Sequence, residues 1–427
     1  MKVAFCTLGC KVNQYESQSM EQALIKRGFE CVGASEEADV YIVNSCTVTA
    51  ESDRKTRQNV RHLRKLHPDA VIVLTGCMPQ AFPEDARLLT QADIVTGNRS
   101  NKQIPDMIDE FFRTRERIVR IAQHENGEKF SGELINDFRE RTRATVKIED
   151  GCNRFCSYCV IPYARGRVRS KPLEDIREEI SSLEKKGFSE IVLVGINLSA
   201  YGTDCGASIC DAVELAASFD GIKRVRLGSL EPDHMTPDVT KRLAGCKKLC
   251  PQFHISLQSG CDKTLKRMNR HYTAAEYEEL CTRLRSEFED ATLTTDVMVG
   301  FSGETKEDFE ISRDFVKKIG FEKVHVFPYS RRAGTRAAEF PDVVENAEKE
   351  RRSREMIATA GEVRHEFLER QIGRTVEVLF EEKLRDGSIQ GYTANYTPVR
   401  IKSGCTHGLR KVKITACGDD WCEGELI

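Results

Sequence analysis

Three cysteines in the spacing C-x3-C-x2-C, Cys152, Cys156 and Cys159, constrain this chain more than any other feature. They follow at once on a β-branched run at 145–149, which places them in a loop at the carboxyl end of a predicted strand. Thiolates so spaced are soft ligands suited to an iron–sulfur cluster. The spacing alone also suits a zinc site short of one ligand, or three inert buried thiols. A disulfide framework is a poor explanation, because cysteine occurs 17 times, an odd count, in a chain of 427 residues, and such frameworks belong to short exported domains. The opening Met1-Lys2-Val3-Ala4-Phe5 enters a strand-like segment directly and lacks the basic start and cleavage site of a signal peptide. No stretch reaches the roughly 18 apolar residues of a membrane span. A cytoplasmic protein in a reducing compartment, with no membrane contact, is expected.

Around the motif, predicted strands alternate with predicted helices. Strands at 145–149, 191–194, 224–227, 253–257, 295–299 and 324–327 are separated by helices at 172–186, 211–219, 237–243, 274–287 and 306–319. Six βα units in series predict a full or partial parallel barrel, with its chemistry at the carboxyl ends of the strands. Upstream, strands at 3–8, 40–44, 71–75 and 94–96 with helices at 16–27 and 52–66 predict a Rossmann-like α/β layer, and the charged, glycine-containing 123–132 reads as a linker. Residues 342–370 are charged and helical. Beyond Gly373, short strands at 375–380, 389–393, 397–401 and 410–415 predict a small all-β barrel. The expected fold is α/β in three domains: 1–122, a partial (β/α)6 barrel over 138–369, and the all-β barrel over 370–427.

Three thiolates can hold three irons of a 4Fe-4S cube and leave the fourth open to the amino and carboxylate groups of S-adenosylmethionine. A reduced cluster can then inject an electron into the sulfonium and release a carbon radical. At Cys152, Cys156 and Cys159 the sequence resembles the radical S-adenosylmethionine superfamily. The string Gly151-Cys152-Asn153-Arg154-Phe155-Cys156-Ser157-Tyr158-Cys159-Val160-Ile161-Pro162-Tyr163-Ala164-Arg165-Gly166 resembles its methylthiotransferase family, and the resemblance runs through nearly the whole chain. In the first domain Cys10, Cys46 and Cys77 each follow a predicted strand, and parallel strands bring such ends to one sheet edge. Any one of them alone reads as a small buried residue. The resemblance implies that together they hold a second, auxiliary 4Fe-4S cluster. Cys6, four residues before Cys10, is a rival ligand that reads as strand core. The pairs Cys205/Cys210, Cys246/Cys250 and Cys417/Cys422 are weak metal-pair spacings, and Cys31, Cys261, Cys281 and Cys405 have no partner pattern.

The resemblance further implies S-adenosylmethionine contacts around the barrel rim: Tyr158 in the cluster loop, Gly195 and Asn197 after the second strand, Ser229 and Glu231 after the third, Ser256 and Gln258 at the fourth, and Asp296, Gly300 and Glu304 at the fifth. Each position also suits a plain turn or a helix cap. Residues 328–335 end the sixth strand and close the site. Family chemistry implies two uses of S-adenosylmethionine, one methylating a sulfur at the auxiliary site and one generating the radical that takes hydrogen from C2 of an adenine.

Sixty-five Lys and Arg against 67 Asp and Glu leave a net charge of −2, so contacts to nucleic acid must be local. Three basic runs qualify: Arg54, Lys55, Arg57, Arg61, Arg64 and Lys65; Arg154, Arg165, Arg167, Arg169 and Lys171; and Arg400, Lys402, Arg410, Lys411 and Lys413. The all-β module resembles a TRAM domain, an RNA-binding barrel. The implied partners are the anticodon stem-loop of tRNA and a reducing electron donor such as flavodoxin or ferredoxin. The string from Thr7 to Ser17 and Leu230-Glu231-Pro232 resemble the branch acting on N6-threonylcarbamoyladenosine, whose carboxylate would suit the arginine forks of Arg165, Arg167, Arg331 and Arg332. The isopentenyladenosine branch carries Gly-Gln-Asn-Val where this chain has Gly195-Ile196-Asn197-Leu198. Three alternatives stand beside this reading: that branch, the branch modifying an aspartate of a ribosomal protein, and a non-catalytic, redox-sensing iron–sulfur protein that binds RNA.

Overall fold

The computed structural model describes residues 1–132, 134, 135, 143–402, 404 and 408–427. Cys405 and the predicted start of the second domain, at 138, lie outside them. The amino-terminal third is a six-stranded, all-parallel sheet of β1 (Lys2–Thr7), β2 (Glu30–Val32), β3 (Val40–Ser45), β4 (Val71–Gly76), β5 (Ile94–Thr96) and β6 (Ile118–Arg120), in the order β2-β1-β3-β4-β5-β6. β3 and β4 are buried along their whole length, as expected for strands covered on both faces. Two apolar clusters cover the sheet, one around Val40, Ile42 and Val73 and the other around Tyr41, Val43 and Ile72. β2 and β6 lie outside the strands predicted. Each is three residues on a sheet edge, too short for a periodic signal. Helix α1 (Lys11–Lys26) begins before the predicted 16, because Cys10 already has the extended backbone of a cap. Helix α2 (Ala50–Leu66) starts where the Thr49 hydroxyl accepts from the Ser52 N–H, with Glu51 and Asp53 in its first turn and Val60 and Leu63 on its buried face.

The second unit is a partial barrel of parallel strands. β7 (Arg143–Lys147), β10 (Glu190–Val194) and β11 (Arg224–Leu227) form one arc in the order β11-β10-β7. β12 (Ser229–Leu230), β13 (Gln252–Ile255), β14 (Thr292–Val299) and β15 (Lys323–Pro328) form the other. A parallel bridge between Val225 and Leu249 joins the arcs. A small antiparallel pair, β8 (Glu149–Asp150) with β9 (Arg169–Ser170), flanks the cysteine loop. One apolar cluster, including Val146, Leu193, Leu227, Ile255 and Val297, fills the space between strands and outer helices.

The helix Asn346–Glu369 leads to a closed five-stranded barrel of β16 (Thr375–Lys383), β17 (Ile389–Thr393), β18 (Pro398–Ile401), β19 (Gly408–Cys417) and β20 (Cys422–Leu426). β20 escapes the alternation test because Glu423, Gly424 and Glu425 interrupt it. The turn after β17 narrows the base of the larger barrel. Arg226 Nη1 donates to the Ala394 carbonyl at 3.0 Å, and the Thr292 hydroxyl donates to the Asn395 carbonyl at 2.6 Å. Tyr392 and Tyr396 stack at 4.5 Å, with the Arg143 guanidinium over both rings and Arg226 over Tyr396. No described helix is long and apolar enough to cross a membrane.

Candidate active site

The cysteine loop leaves the barrel at Gly151, whose φ of +90° admits no side chain. A Cβ there would lie 2.0 Å from the Arg167 carbonyl oxygen. Cys152 donates its N–H to Gly166 and Cys159 its own to Cys156, each at 3.0 Å, and Phe155 takes a left-handed conformation at φ +50°. A segment absent from the sequence reading cradles this loop. The Met268 carbonyl accepts from the Ser157 N–H at 2.9 Å, Asn269 Nδ2 donates to the Phe155 carbonyl at 3.1 Å, and Arg270 Nη1 lies 3.3 Å from Cys156 Sγ. Arg270 also bonds the Glu231 carboxylate and the Ser256 carbonyl, so it ties two predicted rim residues to the cluster loop. Its only sequence signal is Arg267-Met268-Asn269-Arg270-His271-Tyr272 beyond the fourth strand, which matches no ligand spacing.

Cys10, Cys46 and Cys77 converge. They follow β1, β3 and β4, three neighbouring parallel strands, and Cys10 and Cys46 flank the point where the strand order reverses, the usual crevice of such sheets. Gly9, at φ +107°, leaves no room for a side chain: a Cβ would come within 2.8 Å of Cys46 Cβ. Asn13 spans the group. Its amide donates to the carbonyls of Leu8 and Ser45, both at 2.9 Å, while its Oδ1 lies 3.8 Å from Cys10 Sγ and 4.0 Å from Cys77 Sγ. Cys6 stays within β1, against the sheet core.

Arg165 joins the two triads. It lies six residues beyond Cys159, its side chain has no solvent exposure, and Nε lies 3.2 Å from Cys77 Sγ. Its Nη2 bonds Asn13 Oδ1 at 2.7 Å and Glu16 Oε2 at 2.9 Å, and Nη1 bonds Glu16 Oε1. Lys147 bonds Glu16 and Asp150, and Arg169 pairs with Asp150 and Glu128, so three cations face three carboxylates under the cysteines. The neighbouring cations hold the Asp150 carboxyl well below the usual carboxylate range against the opposing effect of burial. Burial pushes the Cys77 thiol up to about 12 and the Cys152 thiol up to about 12. Ligation as thiolates therefore needs compensating positive charge, which Arg165 brings to Cys77 and Arg270 brings to Cys156.

This network corrects the reading of the second basic run. Arg165, Arg169 and Lys171 are buried in ion pairs, Lys171 with Glu179, and Arg154 is held by Asp233. Among the described residues, Arg167 alone of this run has no acidic partner, and its guanidinium lies over the Phe155 ring at 4.5 Å. Among the arginines expected to read a substrate carboxylate, Arg165 is committed as described. Arg332 is committed to Asp53 and Thr47 at 2.6 and 2.7 Å, pinning the segment after Cys46 to the end of β15.

The other expected contacts divide. Gly195 backs onto Glu149, a buried residue that the sequence reading passed over: a Cβ on Gly195 would meet Glu149 Oε2 at 2.6 Å. Glu149 Oε2 accepts from the Asn197 N–H at 2.7 Å, and its Oε1 has no partner. Burial raises its pKa well above the carboxylate norm, against the opposing pull of the Asn197 N–H and Lys147. Gln258, at φ +67°, is buried with an unpartnered Oε1. Asp296 pairs with His254 at 3.2 Å, Ser229 is exposed, and Tyr158 packs edge-on to Phe301. Gly300 and Glu304 face the helix Asn346–Glu369 instead. A Cβ on Gly300 would meet Lys349 Cγ at 2.4 Å, and Glu304 is paired with Arg352 at 2.8 Å and accepts from the Phe301 N–H. A cavity of about 700 Å³ runs from Cys10 past Gly195, Ser229 and His254 to Arg400 and Trp421.

The residues fit the groups the motifs imply. Each triad offers three unpaired thiols in a basic setting. Among the described residues no three His, Cys, Asp or Glu side chains close around a single ion, and a four-iron cube is wider than one ion. The buried oxygens of Glu149 and Gln258 that lack partners are the kind a bound ligand with donor groups satisfies.

Two family descriptions match: Uncharacterized protein family UPF0004 over residues 2–97, and Radical SAM superfamily over residues 146–316. The chain is 35% identical over 435 residues to the Threonylcarbamoyladenosine tRNA methylthiotransferase MtaB of Bacillus subtilis, covering 100% of this chain and 96% of that one. It is 37% identical over 425 residues to the protein of the same name from Thermotoga maritima, with 99% and 96% covered. It is 36% identical over 399 residues to the tRNA-2-methylthio-N(6)-dimethylallyladenosine synthase of Pelotomaculum thermopropionicum, with 91% and 88% covered. Among solved structures, the radical S-adenosylmethionine methyltransferase TsrM from Kitasatospora setae shares the fold at a TM-score of 0.57 and 14% identity, over 79% of this chain and 76% of that chain.

Proposed function

The chain belongs to the methylthiotransferase family of radical S-adenosylmethionine enzymes, and from that premise we propose that it adds a methylthio group to C2 of N6-threonylcarbamoyladenosine beside the anticodon of tRNA. The observation that carries the proposal is the convergence of Cys10, Cys46 and Cys77 at one sheet edge, joined through Arg165 to the loop of Cys152, Cys156 and Cys159. Each triad would hold one 4Fe-4S cluster. With S-adenosylmethionine bound, these groups supply a methyl donor for sulfur and a radical able to remove hydrogen from an aromatic C–H. Such a C–H offers neither an acidic proton nor a leaving group, so the task of the protein side chains is to hold, orient and exclude water. Arg165 and Arg270 offset thiolate charge, and Glu149, Asn197 and Gln258 offer polar groups to S-adenosylmethionine. The turn carrying Tyr392 and Tyr396 narrows the barrel base. Residues 1–122 would serve the sulfur site, 138–369 the radical site and 370–427 the RNA, with a flavodoxin- or ferredoxin-like protein as electron donor.

The threonylcarbamoyl substrate is favoured by the string from Thr7 to Ser17 and by Leu230-Glu231-Pro232, which resemble that branch, since relatives of both names match over nearly the whole of both chains. Reduced enzyme, S-adenosylmethionine and sulfide are given tRNA carrying either modified adenosine, and the digested nucleosides are weighed. The 2-methylthio mass shift is expected on the threonylcarbamoyl tRNA. Its appearance only on the isopentenyl tRNA would reassign the substrate and leave the chemistry intact.

RNA contact is placed first on α2. Arg54, Lys55, Arg61 and Lys65 are exposed there, and among the described residues only Arg54 of the four is paired with an acid, Glu51. In the all-β module, cross-strand neighbours offset part of the charge: Lys411 lies opposite Glu377 and Lys413 opposite Glu425. Charge reversal at Lys55, Arg61 and Lys65 should weaken tRNA binding by more than tenfold at low salt and less at high salt, since each lost phosphate contact lowers the salt slope by about one. Reversal at Lys411 and Lys413 should cost less. An unchanged affinity in the α2 variant would return that face to simple solvation.

A further inference from the structure

The carboxyl-terminal hairpin carries two thiols for which the proposed reaction has no use. Cys417 ends β19, Cys422 opens β20, and the two are direct cross-strand partners. The Gly418 N–H donates to the Trp421 carbonyl at 2.8 Å, so 418 and 421 form the hydrogen-bonded pair that closes the turn. The next pair, 417 and 422, is a non-hydrogen-bonded one. Partners of that kind have α-carbons about 4.5 Å apart and side chains on the same face. A disulfide spans α-carbons about 4.4–6.8 Å apart, so the strands already hold the required spacing. Burial agrees with the shared face: Cys422 lies in the core of the module and Cys417 is half-buried against it. Both thiols are free, and Cys422 Sγ makes only a weak contact to the Leu368 carbonyl at 3.9 Å, which a rotamer change can give up.

We propose that Cys417 and Cys422 form a reversible cross-strand disulfide that sets the conformation of the hairpin tip. The tip bears on the cavity. The Asp420 carboxylate holds Arg364 at 2.9 Å, Trp421 lies under the Arg400 guanidinium at 3.6 Å, and both Asp420 and Trp421 line the cavity that reaches Cys10. The oxidant is a small disulfide of the oxidised-glutathione class. The more accessible Cys417 thiolate attacks one of its sulfurs, giving a mixed disulfide and expelling one small thiolate. The Cys422 thiolate then attacks the Cys417 sulfur and expels the second. Two protein thiols lose two protons and two electrons, and the small disulfide is reduced to two thiols. Burial pushes the Cys422 thiol up to about 12, with Cys417 and Glu322 adding to the shift and Arg364 opposing it. The Cys417 thiol is raised by desolvation and by Glu369. Exchange is therefore slow at neutral pH and quickens as pH rises.

The test uses full-length holoenzyme held anaerobically with oxidised glutathione at mildly alkaline pH. Remaining thiols are alkylated, the protein is digested, and the peptides are weighed. The peptide spanning 417–422 should be lighter by two hydrogens and should regain them with dithiothreitol. Trp421 is the only tryptophan of the chain, so its fluorescence reports the same event. The signal should change reversibly on oxidation and stay constant in Cys417→Ser, while Cys422→Ser, which keeps the attacking thiol but lacks the resolving one, should stop at a glutathione adduct on Cys417. Full alkylation of both cysteines overturns the proposal. So does a lasting glutathione adduct on Cys417 in the unsubstituted chain, or a fluorescence change that persists in Cys417→Ser.

Discussion

Enzyme in which Cys10, Cys46 and Cys77 are all replaced by alanine is expected to form no methylthiolated product while still cleaving S-adenosylmethionine. The three thiols stand at strand ends of the first sheet, and none of them belongs to the loop of Cys152, Cys156 and Cys159, so the second site keeps its ligands. Anaerobically reconstituted protein should carry about eight irons, and the triple variant about four. The complementary replacement of Cys152, Cys156 and Cys159 should also leave about four irons but stop S-adenosylmethionine cleavage. Iron analysis, release of 5′-deoxyadenosine and nucleoside masses are three independent readouts. Full iron content in the first variant would refute the auxiliary site, and wild-type product formation would refute its role in sulfur transfer.

Replacing Arg165 by alanine should be the most damaging single change outside the cysteines. The residue is buried with Glu16, Asn13 and Cys77 around it, and among the described residues Glu16 would keep only Lys147 as a close cationic partner. Breaking a buried pair by removing one member costs about 3–5 kcal/mol, because the remaining charge stays desolvated. Lysine should restore only part of this, since one ammonium cannot serve Glu16, Asn13 and Cys77 together. Denaturant unfolding measures the loss, and the iron content of Arg165→Lys shows whether the Cys77 site still loads. Unchanged stability in Arg165→Ala would mean that the ion network gains nothing over solvent.

Most of the architecture was legible because buried parallel strands leave continuous apolar runs and glycine-rich turns between them. The short edge strands β2 and β6 and the charged β20 were not, because three residues or a Glu-Gly-Glu run carry no period. The cysteine positions could be read because each follows a strand whose end the fold brings to a shared edge. What lies around them could not. Arg165 reads in sequence as one more cation of a basic run, and only the packing of its helix, Ile161–Arg165, against the helix that begins at Cys77 turns it inward to Cys77 and Glu16. Glu149 looks like an ordinary strand residue, and its unpartnered oxygen appears only once Gly195 and Asn197 are seen against it. Arg270 lies more than a hundred residues from the loop it steadies, beyond the reach of any local pattern.

The turn that narrows the barrel base has a consequence for how such chains can be recombined. Arg143, Arg226 and Thr292 are spaced to meet the rings of Tyr392 and Tyr396 and the carbonyls of Ala394 and Asn395. An exchange of the last module between relatives would have to bring a matching turn, or it would leave Arg143 and Arg226 facing an open lumen. The junction is thus a unit of inheritance that spans two folds. A chimaera that kept the three barrel residues and the four residues they meet together should be made and recovered intact more readily than one cut between them.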